Sequence, residues 1–287
     1  MFNKRHIVRT IAATVSILAL SFTAACGSGQ STASNSTDSD DITQQTYKPG
    51  KLTIATGQPA YEPWVMNDKP ESGEGYEAAV AYAVADKLGF KKSDVVWTRT
   101  AFDTAIAPGA KDWDFNIQQF GITDERKKAV DFSSSYYNDS QSVVVKKDSK
   151  FANATKVSDL KDATVGVMVG TLAYDYAKAN IKDDIQTFND DAALAQALDA
   201  GQIDALVTST VECVYMVQSE QVKDAKVVGR IAGSTDPNGM GIVLPKDSKL
   251  TAAVTKAVDD LNADGTIKKL QDKWLAEYTT DLTELKK

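Results

Sequence analysis

The chain alternates short runs of Val, Ile, Thr and aromatic residues with longer segments in which apolar residues recur at a helical period. Runs of roughly four to eight β-branched or aromatic residues predict strands, whereas apolar spacing of i, i+3 and i+4 predicts helices. Strands that alternate with helices are typical of an α/β architecture. The predicted strands lie at 51–57, 94–100, 113–120, 142–147, 164–170, 204–209 and 241–245.

Three helical segments can be bounded from the same pattern. Residues 76–88 place their apolar side chains on one helical face. Residues 190–202 begin with acidic residues and end near Gly201, as the helix dipole and a left-handed C-terminal cap favour. Residues 250–278 predict two helices that are interrupted at the sequence ADG, with no strand after them. We therefore expect the chain to finish in helices that close over an earlier domain.

The first 25 residues have the layout of a secretory signal peptide: three basic residues, a short apolar run and small residues before Cys26. The apolar run is shorter than the roughly 20 residues that a membrane-spanning helix needs. The sequence TAAC at 23–26 resembles the lipobox of bacterial lipoproteins, although Thr23 stands where that pattern prefers Leu. We predict a signal peptide over 1–25 and a lipid anchor, such as palmitate, on Cys26. An ordinary cleavage site that precedes a cysteine is the alternative.

The segment after this cysteine has a different composition. Residues 26–49 are rich in Gly, Ser, Thr and Asn, carry an acidic patch and contain few apolar residues. Such a composition does not bury enough apolar surface to build a core, so it predicts a flexible tether. The roughly 240 residues that follow are enough for one large domain or two medium ones.

Charge and the rarer residues exclude several classes of function. The formal net charge is −7, and it becomes about −10 without the three basic residues of the leader, which disfavours nucleic-acid binding. The single histidine, His6, lies in the leader, so the mature chain lacks Ser-His and Cys-His catalysis and histidine metal ligands. With Cys26 lipidated, Cys213 is the remaining thiol, and it is expected to pack as a small hydrophobic residue.

A polar segment at 121–137, GITDERKKAVDFSSSYY, contains the strongest candidate for ligand binding. Thr123 is placed as a helix N-cap, and acidic residues in the first turn suit the helix dipole. Arg126 opposes that dipole, which suggests that something else selects it. A guanidinium can hold a carboxylate by two hydrogen bonds, supported by nearby backbone N–H groups. The alternative is a surface ion pair of Arg126 with Glu125 or Asp131.

This segment, together with other motifs in order, resembles the bacterial extracellular solute-binding proteins of family 3, the polar amino-acid receptors that feed ABC importers. The resemblance covers about 50–278. The further motifs are GYEAAVAYAVADKLGF, FDTAI at 102–106, VGVMVGTLAYDYAKAN at 165–180, ALDAGQIDALV at 197–207 and GIVLPKDSKLTAAVTKAVDDLNADGTIKKLQDKW from 241.

The resemblance implies a two-lobed, type II periplasmic-binding-protein-like fold with the ligand in a cleft between the lobes. The chain would cross between lobes near 138–142 and 233–238. The first lobe would then be 50–138 with 238–287, and the second lobe 142–233. Such proteins close by hinge bending around the ligand. The family also implies a monomer that works without a cofactor, with permease subunits as its partners.

The family's carboxylate-binding residues match several positions here. Arg126 matches the arginine that holds the ligand α-carboxylate. Gly170 and Thr171 match the second-lobe turn that donates to the same group, and Gln119 and Gly121 match first-lobe positions that line the cleft. Gly121 stands where the family commonly has Ser or Thr, so only its backbone donor remains.

Other positions match unevenly. Phe102 and Tyr61 match the aromatic residues that flank the ligand, with core packing as the alternative. The acidic residue that takes the ligand ammonium in the family is replaced by Ser209. Glu212 lies three residues on and would reach the cleft from the next helical turn.

The side-chain preference of the ligand depends on two positions. Gln58 and Met168 stand where relatives that bind charged ligands can have acidic or basic residues, which favours a neutral or polar amino acid. Trp64 would either wall the pocket or lie at its rim or in the core.

The sequence therefore predicts a lipid-anchored receptor on the outer face of the cell membrane that captures a free amino acid for an ABC importer and is not an enzyme. Two alternatives stay open. The first is a dehydratase-like enzyme on the same scaffold, which would need paired carboxylates such as Glu212 and a partner across the cleft. The second is a sensor or adhesin domain without small-molecule binding, for which Ser209 is the motivating departure.

Overall fold

The computed structural model describes residues 41–279 and 282–287, which build two β-sheets with helices packed against each. The strands are β1 Leu52–Thr56, β2 Val95–Arg99, β3 Phe115–Asn116, β4 Val130–Tyr137, β5 Gln141–Lys146, β6 Val165–Met168, β7 Gln186–Phe188, β8 Ala205–Ser209, β9 Ala225–Ile231, β10 Met240–Pro245 and β11 Glu284–Leu285. The helices are α1 Tyr76–Lys87, α2 Phe102–Ile106, α3 Leu172–Asn180, α4 Asp191–Asp199, α5 Thr210–Gln218, α6 Thr251–Ala263 and α7 Thr266–Trp274.

The two sheets are the centres of two lobes. The five-stranded sheet of the first lobe has the order β2-β1-β3-β10-β4, with β1 parallel to β2 and β3, and β10 antiparallel to β3 and β4. The six-stranded sheet of the second lobe has the order β11-β9-β5-β8-β6-β7. There β6 runs parallel to β7 and β8, and β5 runs antiparallel to β8 and β9. This arrangement confirms the predicted α/β class with two lobes.

Each lobe has its own hydrophobic core. In the first lobe, Leu52 and Ile54 of β1 pack with the apolar faces of α1 and α6. In the second lobe, Val143 and Val145 of β5 face one core cluster while Val144 faces the other. Successive side chains of a strand point to opposite faces, so a continuous Val run fits a sheet that is covered on both sides.

The chain passes between the sheets at 138–140, after β4, and again at 232–239, between β9 and β10. These two connections run side by side, because the Asp236 backbone N–H donates to the Asp139 carbonyl at 3.1 Å. The crossovers were expected near 138–142 and 233–238. Both connections also contribute side chains to the space between the lobes.

The observed helices agree with those predicted from the spacing of apolar residues. Helix α1 occupies 76–87, and helix α4 begins after Asp190, whose carboxylate accepts the Ala193 N–H at 2.7 Å. The break between α6 and α7 falls at Gly265, which has a φ of 77°. A left-handed backbone conformation is easily adopted by glycine, so the ADG sequence ends one helix and starts the next.

The strand predictions are less complete. Strands β4, β7 and β9 were not predicted, and the predicted strand at 113–120 pairs only at Phe115–Asn116. Beyond β3 the backbone turns away from the sheet, because Gln119 has a φ of 52° and its N–H donates to the buried Glu77 carboxylate at 2.7 Å. This turn directs 118–121 toward the space between the lobes.

The C-terminus differs from the prediction that no strand follows the last helices. Strand β11 pairs in parallel with β9 of the second lobe, and Leu285 is buried in the second-lobe core. The Arg230 N–H donates to the Thr283 carbonyl at 2.8 Å. Residues 282–287 therefore lie on the second sheet, although the expected division placed all of 238–287 in the first lobe. The edge of β9 offers unpaired backbone groups, and the tail covers them.

The predicted tether over 26–49 also needs correction at its end. Residues 41–49 pack on the first lobe: the Tyr47 N–H donates to Asp114, and Ile42 contacts the first-lobe core. The same Asp114 carboxylate accepts the Thr53 N–H, so one buried acid fastens this segment to β1. The predicted signal peptide, Cys26 and the rest of the tether lie outside the described residues. Among the described residues, no helix is long and apolar enough to cross a membrane.

Candidate functional site

A cavity lies between the two lobes and is lined by residues from both sheets and both connections. The ends of β1, β6 and β8 reach it, as do the first turns of α3, α4 and α5. The carboxyl ends of strands are where α/β sheets place ligand sites, because loops and helix N-termini converge there. This cavity is therefore the candidate binding site.

Arg126 connects the two lobes across this cavity. Its Nη1 donates to the Gly121 carbonyl of the first lobe at 2.7 Å, and its Nη2 donates to the Gly170 carbonyl of the second lobe at 2.8 Å. The guanidinium carbon lies 5.5 Å from the centre of the Phe102 ring. Burial lowers the pKa of Arg126, and the charges of Asp175 and Asp236 partly oppose that shift.

The surface ion pairs considered for Arg126 are not formed. Glu125 pairs instead with Lys128, and Asp131 pairs with Lys246 at 3.0 Å. The Thr123 hydroxyl accepts the Arg126 N–H at 3.1 Å, but the N-cap of the turn is Glu125 and not Thr123, and the helix is only a short 3-10 turn over 126–128. The charged residues on either side of Arg126 in the chain are exposed, while the Arg126 side chain points into the cavity.

Gly121 and Thr171 lie on opposite sides of the same end of the cavity. A Cβ at Gly121 would overlap the Leu172 side chain, which explains the absence of a hydroxyl side chain there. Thr171 caps α3: its hydroxyl accepts the Tyr174 N–H at 3.2 Å and donates to the Met168 carbonyl at 2.8 Å. The N-terminus of α3 thus faces the guanidinium end of the cavity and favours an anion there.

Three aromatic residues wall the cavity. Phe102 stacks on Phe120 with ring centres 4.6 Å apart, and Tyr61 lines the opposite end. Trp64 lines the cavity and also packs in the core, where it is fully buried and its ring centre lies 5.6 Å from that of Tyr137. The alternatives of pocket wall and core packing therefore both apply to Trp64.

Four carboxylates line the cavity: Asp139, Asp191, Glu212 and Asp236. Within the described chain, Arg126 is the one cationic side chain among the lining residues. Only Glu212 was predicted from the sequence. The other three lie in the crossover segments or at the start of α4, and their acidic character in those segments was the available signal.

Removal from water acts strongly on three of these acids. Desolvation raises the pKa of Asp139 to about 6, with the Ser140 N–H and the Ser209 hydroxyl opposing the shift. Desolvation and the charge of Asp190 raise the pKa of Asp191 to about 6. The pKa of Glu212 lies well above its usual value because of burial and the charges of Asp191 and Asp139.

The replacement at Ser209 is accounted for locally. Ser209 is the N-cap of α5, and its hydroxyl accepts the Glu212 N–H at 3.3 Å. Asp139 lies against Ser209, so a carboxylate stands beside the position where the family has one.

Several polar atoms in the cavity have no hydrogen-bond partner among the residues that the structure describes. Most of them are acceptors, and buried acceptors normally find a donor. A cavity lined by these unpaired acceptors suits a ligand that is rich in N–H donors. The atoms are Tyr61 OH, Gln118 Oε1, Asp139 Oδ2, Gln141 Oε1, Glu212 Oε1 and Asp236 Oδ2.

Most of the candidate residues from the sequence line this cavity. Gly170 contributes to the site through its backbone carbonyl, which accepts a hydrogen bond from Arg126. Gln58 is exposed and does not line the cavity; the loop presents Pro59 and Ala60 to the cavity instead. No group of three or more His, Cys, Asp or Glu in 41–279 and 282–287 is arranged to hold a metal ion. The candidates that line the cavity are Tyr61, Phe102, Gln119, Gly121, Arg126, Met168, Thr171, Ser209 and Glu212.

Comparisons with known proteins agree with this geometry. The L-arginine-binding protein of Pseudomonas aeruginosa is 29% identical over 80% of this chain and 88% of that protein. The L-cystine-binding protein TcyJ of Escherichia coli is 30% identical over 77% of this chain and 81% of that protein.

Solved structures are similar along nearly their whole length. An ancestral arginine-binding protein bound to arginine is 31% identical with a TM-score of 0.67, covering 79% of this chain and 99% of that one. An ancestral amino acid-binding protein, a precursor of cyclohexadienyl dehydratase, is 31% identical with a TM-score of 0.65. The match covers 79% of this chain and 96% of that one. The family model of bacterial extracellular solute-binding proteins, family 3, matches residues 52–277, and the chain belongs to that family.

Proposed function

We propose that this protein is the receptor of an amino-acid ABC importer and captures a free amino acid between its lobes. The observation that carries the proposal is the position of Arg126. Its guanidinium lies between the lobes and hydrogen-bonds a backbone carbonyl of each one. A ligand that binds this group contacts both lobes at once, as closure around a ligand requires.

The ligand carboxylate would lie at the Arg126 end. The two carbonyls that now accept from Arg126 do not neutralise its charge, whereas a carboxylate does so with two parallel hydrogen bonds. The N-terminus of α3, next to Thr171, adds backbone N–H groups and a favourable dipole. Phe102 covers one face of the guanidinium and limits its access to water.

The ligand ammonium would bind at Asp139. An ammonium has three donors and needs acceptors, and Asp139 Oδ2 has no partner among the described residues. Only one of its oxygens accepts a close bond, from the Ser140 N–H at 2.7 Å. The carboxylate and ammonium of one amino acid would then bridge Arg126 and Asp139.

The relatives support this class of ligand, since the proteins named above are arginine-binding and cystine-binding proteins. They do not support the neutral or polar preference that was based on Gln58 and Met168, and Gln58 is exposed. With the anchor at Cys26, the receptor would act as a monomer outside the cytoplasm and deliver its ligand to permease subunits. It would do so without a cofactor.

A thermal-shift screen of the purified protein against the common L-amino acids, followed by calorimetry, tests the proposal. A ligand that binds the native state must raise stability by mass action. Arg126→Ala should lower affinity by about 2 to 5 kcal/mol, or roughly 30-fold to several thousand-fold. Arg230→Ala, at an exposed position on β9, is the matched control and should bind normally.

Two results would count against the receptor. If no amino acid stabilises the protein, the sensor or adhesin alternative is favoured. If a bound carboxylic acid is converted to a new product on chromatography, the dehydratase-like alternative is favoured. The buried Glu212 and the half-buried Asp191 are the observation behind that second alternative, because a carboxyl with a raised pKa can serve as a general acid.

A further inference from the structure

We propose that the ligand of this cavity carries a second cationic group on its side chain, and that Glu212 and Asp191 select for it. This inference rests on the proposed amino-acid binding and specifies its ligand class. It is carried by Glu212, which is 4% exposed, lines the cavity and has an Oε1 without any partner in the described part of the chain. A buried carboxylate oxygen in that state requires a donor.

The charges of the cavity do not balance with a neutral amino acid. The ligand carboxylate would pair with Arg126 and its ammonium with Asp139. Asp236 acts on Arg126 as well, so it adds a further negative charge at that end. Glu212, which is buried, and the half-buried Asp191 would then remain beside each other without a cation. Two neighbouring carboxylates that are largely removed from water cannot both be ionised at low cost, so they either share a proton or receive a cation from the ligand.

The surroundings of this pair suit a cation. Asp191 starts α4 and Glu212 lies in the first turn of α5, so two different helices fix the two acids on one wall. Tyr61 lines the same end, and the charges of Asp190, Asp191 and Glu212 all act on its hydroxyl. Its ring offers a face over which an ammonium or guanidinium is attracted.

The two ends of the cavity are therefore of opposite type. The Arg126 end has a guanidinium, a helix N-terminus and Asp236, whereas the Glu212 end has two carboxylates and a phenol and no cationic side chain among the described lining residues. The ligand that satisfies both ends is an amino acid with a terminal ammonium or guanidinium. A site built to bind such a group rejects the neutral isostere, because its own buried acids are then left without partners.

Calorimetry with two matched ligand pairs tests this inference: L-arginine against L-citrulline, and L-lysine against L-norleucine. Each pair has a similar shape and differs in side-chain charge. At pH 7.5, in one pair or both, we expect the cationic member to bind at least about 30-fold more tightly. Equal or tighter binding of L-citrulline and L-norleucine would overturn the cationic class while leaving the amino-acid receptor intact. Failure of every amino acid to bind would overturn both.

Variants identify the residues. Glu212→Gln should weaken binding of the preferred cationic amino acid by about 30-fold or more and change binding of its neutral isostere by less than about threefold. Asp191→Asn should also weaken binding of the cationic amino acid more than binding of its neutral isostere. It serves as the second variant if Glu212→Gln does not fold. Glu71→Gln, at an exposed position, is the control. Equal losses for the cationic and the neutral ligand would exclude a selective role for Glu212 and Asp191.

Discussion

Gly121 of the first lobe lies so close to Leu172 of the second lobe that a Cβ at position 121 would overlap the leucine Cδ1. The same Cβ would lie 3.1 Å from Asp236 Oδ2. The Gly121 carbonyl also accepts from Arg126 at 2.7 Å. The glycine therefore permits the lobes to meet and holds the guanidinium at their junction.

Gly121→Ala should weaken amino-acid binding by on the order of tenfold, because overpacking at this junction opposes closure at a cost of about 1 to 3 kcal/mol. Calorimetry with the ligand from the thermal screen measures the change. Leu172→Ala introduced together with Gly121→Ala should recover most of the affinity, since it removes the overlapping atoms. A Gly121→Ala variant that binds like the parent protein would contradict this account of lobe closure.

A second prediction concerns Glu77, which is fully buried in α1 and accepts hydrogen bonds from the Gln119 N–H at 2.7 Å and from the Tyr136 hydroxyl. Burial raises its pKa to about 7 from 4.5. The folded protein thus keeps this proton at a pH where the unfolded chain has lost it. The contribution of Glu77 to stability is full below about pH 4.5 and falls as the pH rises to about 7.

Urea denaturation of the parent and of Glu77→Gln at pH 5 and pH 7.5 measures this effect. The parent should lose about 2 to 3 kcal/mol more stability than the variant between the two pH values. Other acids with raised pKa are present in both proteins, so they cancel in the comparison. Parallel pH profiles for the two proteins would refute the assignment to Glu77.

The elements that the sequence predicted correctly have strong local signals. Helix α4 has an acidic N-cap at Asp190, and the α6–α7 break has Gly265. Strand β9 was not predicted, because Lys226 and Arg230 interrupt its apolar run. Strand β11 was missed because two residues of pairing on a sheet edge carry no period that can be detected in sequence.

The residues of the candidate site were also predicted only in part. Arg126 was identified through the resemblance of the surrounding motifs to the family, because its position in an acidic turn alone also fits a surface ion pair. Asp139, Asp191 and Asp236 were missed because each lies in a segment where an acid is ordinary: a turn, a helix start and a loop. Their importance follows from burial around one cavity, which is a tertiary property. The neutral ligand preference rested partly on Gln58, which is exposed, whereas Met168 does line the cavity.

A third prediction concerns the C-terminal strand. Leu285 is 1% exposed and packs in the second-lobe core, so Leu285→Ala should destabilise the protein by about 2 to 4 kcal/mol. Chemical denaturation measures the loss. Glu284→Ala, the exposed neighbour in the same strand, should change stability by less than about 0.5 kcal/mol. Equal effects of the two substitutions would mean that the strand is held by its backbone pairing alone.

The last prediction links ligand binding to protons. The pKa of Asp139 and of Asp191 is raised to about 6, and that of Glu212 lies well above its usual value. A cationic ligand stabilises the ionised acids and therefore lowers these pKa values in the complex. Binding should release protons, and affinity should rise with pH up to about 6, where Asp139 and Asp191 titrate, by up to about tenfold per pH unit for each proton released.

Calorimetry of the same titration in buffers with different ionisation enthalpies counts the protons directly. Asp191 and Asp139 act on Glu212, Asp190 acts on Asp191, and Trp64 donates to Glu212, so the titration belongs to the group and not to one residue. Glu212→Gln removes one titrating member and should reduce both the proton count and the slope of affinity against pH. Proton uptake on binding, or an unchanged count in this variant, would show that the buried acids are not the groups that the ligand engages.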